Sequence, residues 1–317
     1  MPITITAADS GAQASILPEL GFNCYRFAAP LAGQTIEVID SQPGFEAGGK
    51  SPRRSGIPLL FPFPNRIFQG RMSWDGKEYQ LPKNDDYGNA IHGLVIDRPW
   101  RVLEQTGNSV TGIFRLSIDA PDRRHLWPAD FEIEVRYELR GTTLDSLITI
   151  RNPDQVPLPW GFGTHVYFHF PLAAGSTPKD CLVQVPATRQ WLLHDCIPTG
   201  ELQEVSGRLD LREGLSLEGV QFDDVLTGLV PQAGGAIRCV LMDARAGLQI
   251  TQTTDTLFRE LVIFTPPRGN AVCFEPYTCV TDAVNLQARG IEAGWRVLDP
   301  GAELQTAISI RADLVYA

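Results

Sequence analysis

Residues 131–139 alternate without a break: Phe131, Ile133, Val135, Tyr137 and Leu139 are apolar, with Glu132, Glu134, Arg136 and Glu138 between them. A period of two sends neighbouring side chains to opposite faces, so this run predicts a strand with one buried and one wet face. Arg140-Gly141-Thr142-Thr143 reads as a turn, and the β-branched run Leu144–Ile150 completes a hairpin. A second hairpin is expected where Met72-Ser73-Trp74 and Tyr79 to Leu81 flank Asp75-Gly76, a pair suited to positive φ. Val110, Phe114, Leu116 and Ile118 alternate as well, and Leu304, Ala307, Ile308 and Ile310 predict a closing strand after Pro300-Gly301. No amphipathic helix longer than about two or three turns is legible.

Many short antiparallel strands without helical partners imply an all-β sandwich or barrel. The 29 glycines and 24 prolines are spread along all 317 residues, with no repeat and no break in composition, so one domain over 1–317 is expected. A composition of 43% hydrophobic and 20% charged residues supports a sizeable core. The net charge of −10 argues against nucleic acid or an anionic membrane as partner, since both demand a basic surplus. No run approaches the roughly 18 apolar residues of a membrane span. The N-terminus lacks the basic-then-apolar pattern of a secretory leader. The cysteines at 24, 181, 196, 239, 273 and 279 form no C-x-x-C pair and read as reduced thiols, which makes the cytoplasm the expected compartment.

Four segments place polar groups in unusually apolar surroundings. In Gly56–Ile67 a proline-stiffened run ends in Asn65-Arg66; its guanidinium is either held by a carboxylate or presented to a ligand. In Asn89–Leu94, His92 precedes a glycine that lets the backbone turn tightly; taken alone, it reads as a core or capping residue. In Trp160–Phe170, His165, Tyr167 and His169 fall on one face of an extended strand. That histidine spacing matches no metal motif, and no third ligand stands nearby in sequence, so no metal is expected. In Val272–Thr278, Glu275 interrupts an apolar strand, where an ionised carboxylate costs free energy unless it is hydrogen-bonded. Asp223 and Asp224 are a further candidate pair. Nucleophile elbows, P-loops and dinucleotide fingerprints are absent.

These segments resemble the aldose 1-epimerase, or galactose mutarotase, family. GIPLLFPFPNRI, NAIHGL, GFGTHVYF, FDDV, CFEPYT and RVLDPGAELQTAISI occur in the family's order over residues 56 to 311. The resemblance implies a galactose mutarotase-like supersandwich, a large antiparallel β-sandwich with its site in an open cleft, a small sugar as partner, and no cofactor. Carried across by motif, His165 is the expected acid and Glu275 the expected base of anomer interconversion. Arg66, His92 and Asp223 match positions that hold sugar hydroxyls, with Asp224 the alternative to Asp223. Thr164 and Leu94 depart from residues common in the family, which leaves the sugar open. Arg53 and Arg54 keep a hexose 6-phosphate substrate as an alternative, beside a non-catalytic carbohydrate-binding sandwich. The oligomeric state is not legible.

Overall fold

The computed structural model describes residues 1–315; Tyr316 and Ala317, the end of the expected domain, lie outside the described residues. Strands Glu132–Arg140 and Thr143–Arg151 form the expected hairpin, with Ile133 opposite Ile150, Val135 opposite Ile148 and Leu139 opposite Leu144. These six side chains are buried, while Leu147 faces out and Glu132, Glu134, Arg136 and Glu138 retain partial exposure. The second hairpin pairs Arg71–Trp74 with Lys77–Gln80. Asp75 and Gly76 take φ of 48° and 71°, as a mirror-image two-residue turn demands.

One expectation changes. Leu116 and Ile118 do not prolong strand Ser109–Arg115; they enter the short helix Leu116–Asp119. Asp119 accepts from the Arg115 N–H at 2.6 Å and Asp130 from the Ser117 N–H at 2.9 Å, which turns the chain away from the sheet. Leu116 is buried and Ile118 exposed, a contrast that a helical turn produces and a strand, which sends both to one face, does not. In the closing strand Glu303–Leu314 the inward residues are Thr306, Ile308, Ile310 and Ala312, whereas Ala307 faces out. The closing strand expected after Pro300-Gly301 is thus present.

The nine-stranded antiparallel sheet is centred on Glu132–Arg140, Thr143–Arg151, Glu303–Leu314 and Leu248–Thr254. An eight-stranded antiparallel sheet contains, side by side, Arg189–His194, Asp223–Thr227, Glu260–Phe264, Ala271–Tyr277 and Gly163–Thr164. Val135, Ile148, Ile250 and Ile308 of the first pack in one core with Leu226, Leu261, Ile263 and Phe274 of the second. Each such side chain contributes roughly 1.5–3 kcal/mol on burial. This is the large antiparallel β-sandwich that the family resemblance implies, one of the two architectures that the alternation left open. The longest described α-helix, Ala283–Ala288, has six residues, and no helix among the described residues is long and apolar enough to cross a membrane.

The eight-stranded sheet turns its second face away from this core. Pairing of Asp223 with Phe264 and of Phe264 with Cys273 puts Asp223, Val225 and Thr227 on that face, with Phe264, Val262 and Glu260 beside them. Cys273, Glu275 and Tyr277 continue the same rungs, and every residue of Ala271–Tyr277 is buried.

Gly93 ties a loop to this sheet. It has φ of 75°, and a Cβ there would stand 2.2 Å from the Phe61 carbonyl oxygen, which accepts from the Leu94 N–H at 2.7 Å. Gly93→Ala is therefore expected to cost about 3 kcal/mol, because backbone must move. Gly76→Ala, also at positive φ but facing open space, should cost nearer 1 kcal/mol. Urea unfolding of the two variants measures the difference; equal losses would show that the Phe61 contact is soft.

A candidate active site on the outer sheet face

The Trp160–Phe170 segment runs between Leu59–Leu60 and Ala271–Tyr277, with Gly163 opposite Tyr277 and Tyr167 opposite Cys273. His165 thus lies across from Glu275. Its N–H donates to the Pro58 carbonyl at 3.1 Å, which holds the backbone where the ladder is interrupted. Imidazole Nε2 stands 3.2 Å from Glu275 Oε1. The residues are only 7% and 2% exposed, so the two groups meet almost out of water.

Tyrosines hold both partners. The Tyr277 hydroxyl donates to Glu275 Oε2, leaving Oε1 for the histidine. Gly163 makes room for this, since a Cβ there would come within 2.2 Å of the Tyr277 ring. Tyr167 stacks on His165 with ring centres 4.5 Å apart and planes within 7°. Its hydroxyl donates to the Arg53 carbonyl at 2.6 Å and lies 3.4 Å from His165 Nε2. His92 approaches the His165 ring edge-on at 5.6 Å, and Phe264 does so at 5.8 Å from another side.

Arg66 and His92 are brought together by the short ladder of Arg66–Ile67 with Ala90–Ile91. The His92 N–H donates to the Asn65 carbonyl at 2.8 Å, and both residues adopt left-handed φ, 64° and 51°. Arg66 Nε bonds Asp85 Oδ2 at 2.8 Å and Nη1 bonds Asn65 Oδ1 at 2.9 Å. Its carboxylate partner comes from Asp85, which also accepts from the Tyr87 and Asn89 N–H groups. Arg66 is both paired and turned toward the site, since its charge bears on Asp223 and Glu275. Asp224 is held by both Nη atoms of Arg208 at 2.7 and 2.9 Å. Asp223 instead stands on the face that carries Glu275.

Burial dominates the titration of the centre. It pushes Glu275 well above the usual carboxylate range, with Asp223 adding to the rise and Tyr277 and Arg66 opposing it. It lowers His165 to about 3, and Arg268 and Arg66 act in the same direction. His92 also falls well below an ordinary histidine because of burial and the charges of His165, Arg53 and Arg66. In the free protein, desolvation thus disfavours an imidazolium at His165. The contact between Nε2 and Oε1 has room for one shared proton, and burial favours the neutral arrangement, with that proton on Glu275.

Tyr277, Asp85 and Phe264 escaped the sequence reading, whereas Tyr167 was placed there on the strand face of His165. Tyr277 and Tyr167 share strand faces with Glu275 and His165 at a spacing of two, which is the signal that marks them. Trp160 and Phe168 pack in the core, against Phe61 and Phe274 respectively. The structure also supplies a third donor near the pair: ligand atoms of His165, Cys273 and Glu275 lie within 4.8 Å of one another. Burial raises the Cys273 thiol well above its usual range, and Tyr277 occupies one carboxylate oxygen, so the set favours protons over a cation.

The family model described as aldose 1-epimerase matches residues 47–311. The uncharacterized protein YihR of Escherichia coli is 27% identical over 231 residues, covering 72% of this chain and 71% of that protein. Human galactose mutarotase is 30% identical over 155 residues, covering 48% of this chain and 44% of the mutarotase, so the match spans less than half of that relative. Among solved structures, a galactose mutarotase-like protein from Clostridium acetobutylicum superposes with a TM-score of 0.88 at 22% identity, covering 99% and 95% of the two chains. An aldose epimerase homologue from C. elegans gives 0.82 at 19% identity, covering 99% of each. At such identities these structures establish the shared fold.

One rung beyond Glu275, buried Glu260 accepts from Trp191 Nε1 at 2.9 Å and Arg259 Nε at 3.1 Å. Desolvation raises its pKa from 4.5 to about 7. Between those values the folded protein holds a proton that the unfolded chain lacks, so this contribution is complete below pH 4.5 and lost as pH rises through about 7. Glu260→Gln should flatten that part of the curve of urea midpoint against pH. An unaltered slope would place the titration elsewhere.

Proposed function

The chain belongs to the aldose 1-epimerase family, and from that premise we propose that it interconverts the α and β anomers of a free aldose, with Glu275 and His165 as the proton-transfer pair. The observation that carries this reading is their 3.2 Å contact on one buried sheet face, beside Arg66, His92 and Asp223. Ring opening removes a proton from the anomeric hydroxyl and delivers one to the ring oxygen. Rotation of the carbonyl group and reclosure reverse both transfers and give the other anomer. The proton count is conserved, so a pair that holds one proton is sufficient.

In the ionic arrangement of that pair, carboxylate Glu275 takes the anomeric proton and imidazolium His165 protonates the ring oxygen. Burial disfavours this arrangement in the free protein, as derived above. Sugar hydroxyls in place of water, together with the Arg66 charge, stabilise the carboxylate when substrate arrives. Neutral His92 can donate to or accept from a hydroxyl, and Asp223 can accept from one. The six free thiols accord with a reducing compartment such as the cytoplasm. Arg54, which has no carboxylate within salt-bridge reach among the described residues and whose charge bears on Tyr167, favours the sugar 6-phosphate as a second reading.

Polarimetry of freshly dissolved α-D-glucose and α-D-galactose tests the reaction, and competition with their 6-phosphates tests the second reading. Glu275→Gln and His165→Asn are each expected to lower kcat/KM by about 10²–10⁴-fold with circular dichroism unchanged. A wild-type rate in either variant removes that residue from the proton path. Activity is further expected to survive exhaustive chelation; loss that added zinc restores would assign His165, Cys273 and Glu275 to a metal instead.

A further inference from the structure

At the far end of the same sheet face lies a cavity of about 550 Å³ that includes neither His165 nor Glu275. Trp191, which packs with Val225, Val262 and Tyr277, forms the wall toward the proton-transfer pair. Leu229 and Phe258 add apolar surface, and three guanidiniums line the space: Arg189, Arg259 and Arg296. The volume falls in the range of small-molecule sites, which combine apolar walls with a few convergent polar groups.

The three arginines are unequally satisfied. Arg259 bonds Glu260 through Nε at 3.1 Å and Glu292 through Nη1 at 2.6 Å. Arg189 comes no closer than 4.0 Å to Glu204, and both side chains are substantially exposed. Arg296 Nε is buried and has no hydrogen-bond partner among the described residues. Glu292 feels the Arg296 charge, yet it spends its carboxylate on Arg259. A buried N–H left unpaired costs about 1–3 kcal/mol, more when the group is charged, and such a group calls for a missing acceptor. In a chain of net charge −10, convergence of three guanidiniums on one cavity is a local reversal of sign.

We propose that this cavity is a second ligand site, separate from the anomer-interconverting centre, which takes a phosphate monoester with a small apolar or ring-shaped body. The phosphate accepts from Arg296 and Arg189, whose planar forks match its oxygens, and the body rests against Trp191 and Phe258. Glu292 offsets one of the three positive charges and Glu260, whose pKa burial raises to about 7, part of a second; the remaining excess of between one and two suits a phosphate monoester, which carries about −1.5 to −2 at neutral pH.

Calorimetric titration with phenyl phosphate, phenol and inorganic phosphate tests the assignment. Phenyl phosphate is expected to bind more tightly than inorganic phosphate, and phenol is expected not to bind. Arg296→Gln should weaken phenyl phosphate at least tenfold while leaving mutarotation of a neutral sugar unchanged. Arg189→Gln, at an exposed position, gives the same readout if Arg296→Gln disturbs folding. Saturating sugar should leave phenyl phosphate affinity intact. Affinity unaffected by both substitutions, or abolished by sugar, would overturn the proposal.

Discussion

The structure depends most on a carboxylate placed where water is nearly absent. Glu275 sits in a strand buried from end to end, with core packing behind it and the Tyr277 hydroxyl fixing one oxygen. Such a group is tolerated only when hydrogen-bonded and when its proton affinity rises. Its neighbours follow from that requirement. Gly163 clears space for the Tyr277 ring, Tyr167 stacks beneath His165, and the backbone at His165 leaves the ladder to bond Pro58. Desolvation, which penalises both charged forms, also ties the two side chains to one shared proton.

The polar groups around this pair stand on a less regular support. Arg66 and His92 come from loops joined by a two-residue ladder and by hydrogen bonds from left-handed backbone. Asp85 fixes Arg66 from outside both loops, so the guanidinium is oriented before any ligand arrives. Orientation of this kind lowers the entropy lost on binding. The face also continues past Glu275 to Glu260, Trp191 and the arginine-lined cavity. One sheet therefore presents two electrostatically different surfaces, a proton-sharing centre and a cationic recess, divided by aromatic side chains.

Much of the scaffold was legible because strand periodicity is a local property. The 132–140 and 143–151 hairpin and the Asp75-Gly76 turn needed only alternation and turn chemistry. Misreading began where local signals were ambiguous. Leu116 and Ile118 keep the strand's spacing of two, and only the Asp119 and Asp130 contacts turn the chain into a helix there. Alternation was silent on Ala307, which stands opposite exposed Leu147 and faces out.

For the site, residues in apolar runs stood out by themselves: Glu275 inside Val272–Thr278, and His165 inside the aromatic Trp160–Phe170 segment. Ordered motifs placed Arg66, His92 and Asp223 with them. Sequence order could not show that His165 meets Glu275 across a ladder, that Asp85 holds Arg66, or that Arg208 takes Asp224 and leaves Asp223 on the site face. Nor could it reveal that Cys273 approaches the pair, or that Arg189, Arg259 and Arg296 share a cavity. Alternation and turn residues act over a few positions and are written in the chain. Pairing register, burial and the charges facing a group arise only when distant segments pack, and they decide where the proton resides.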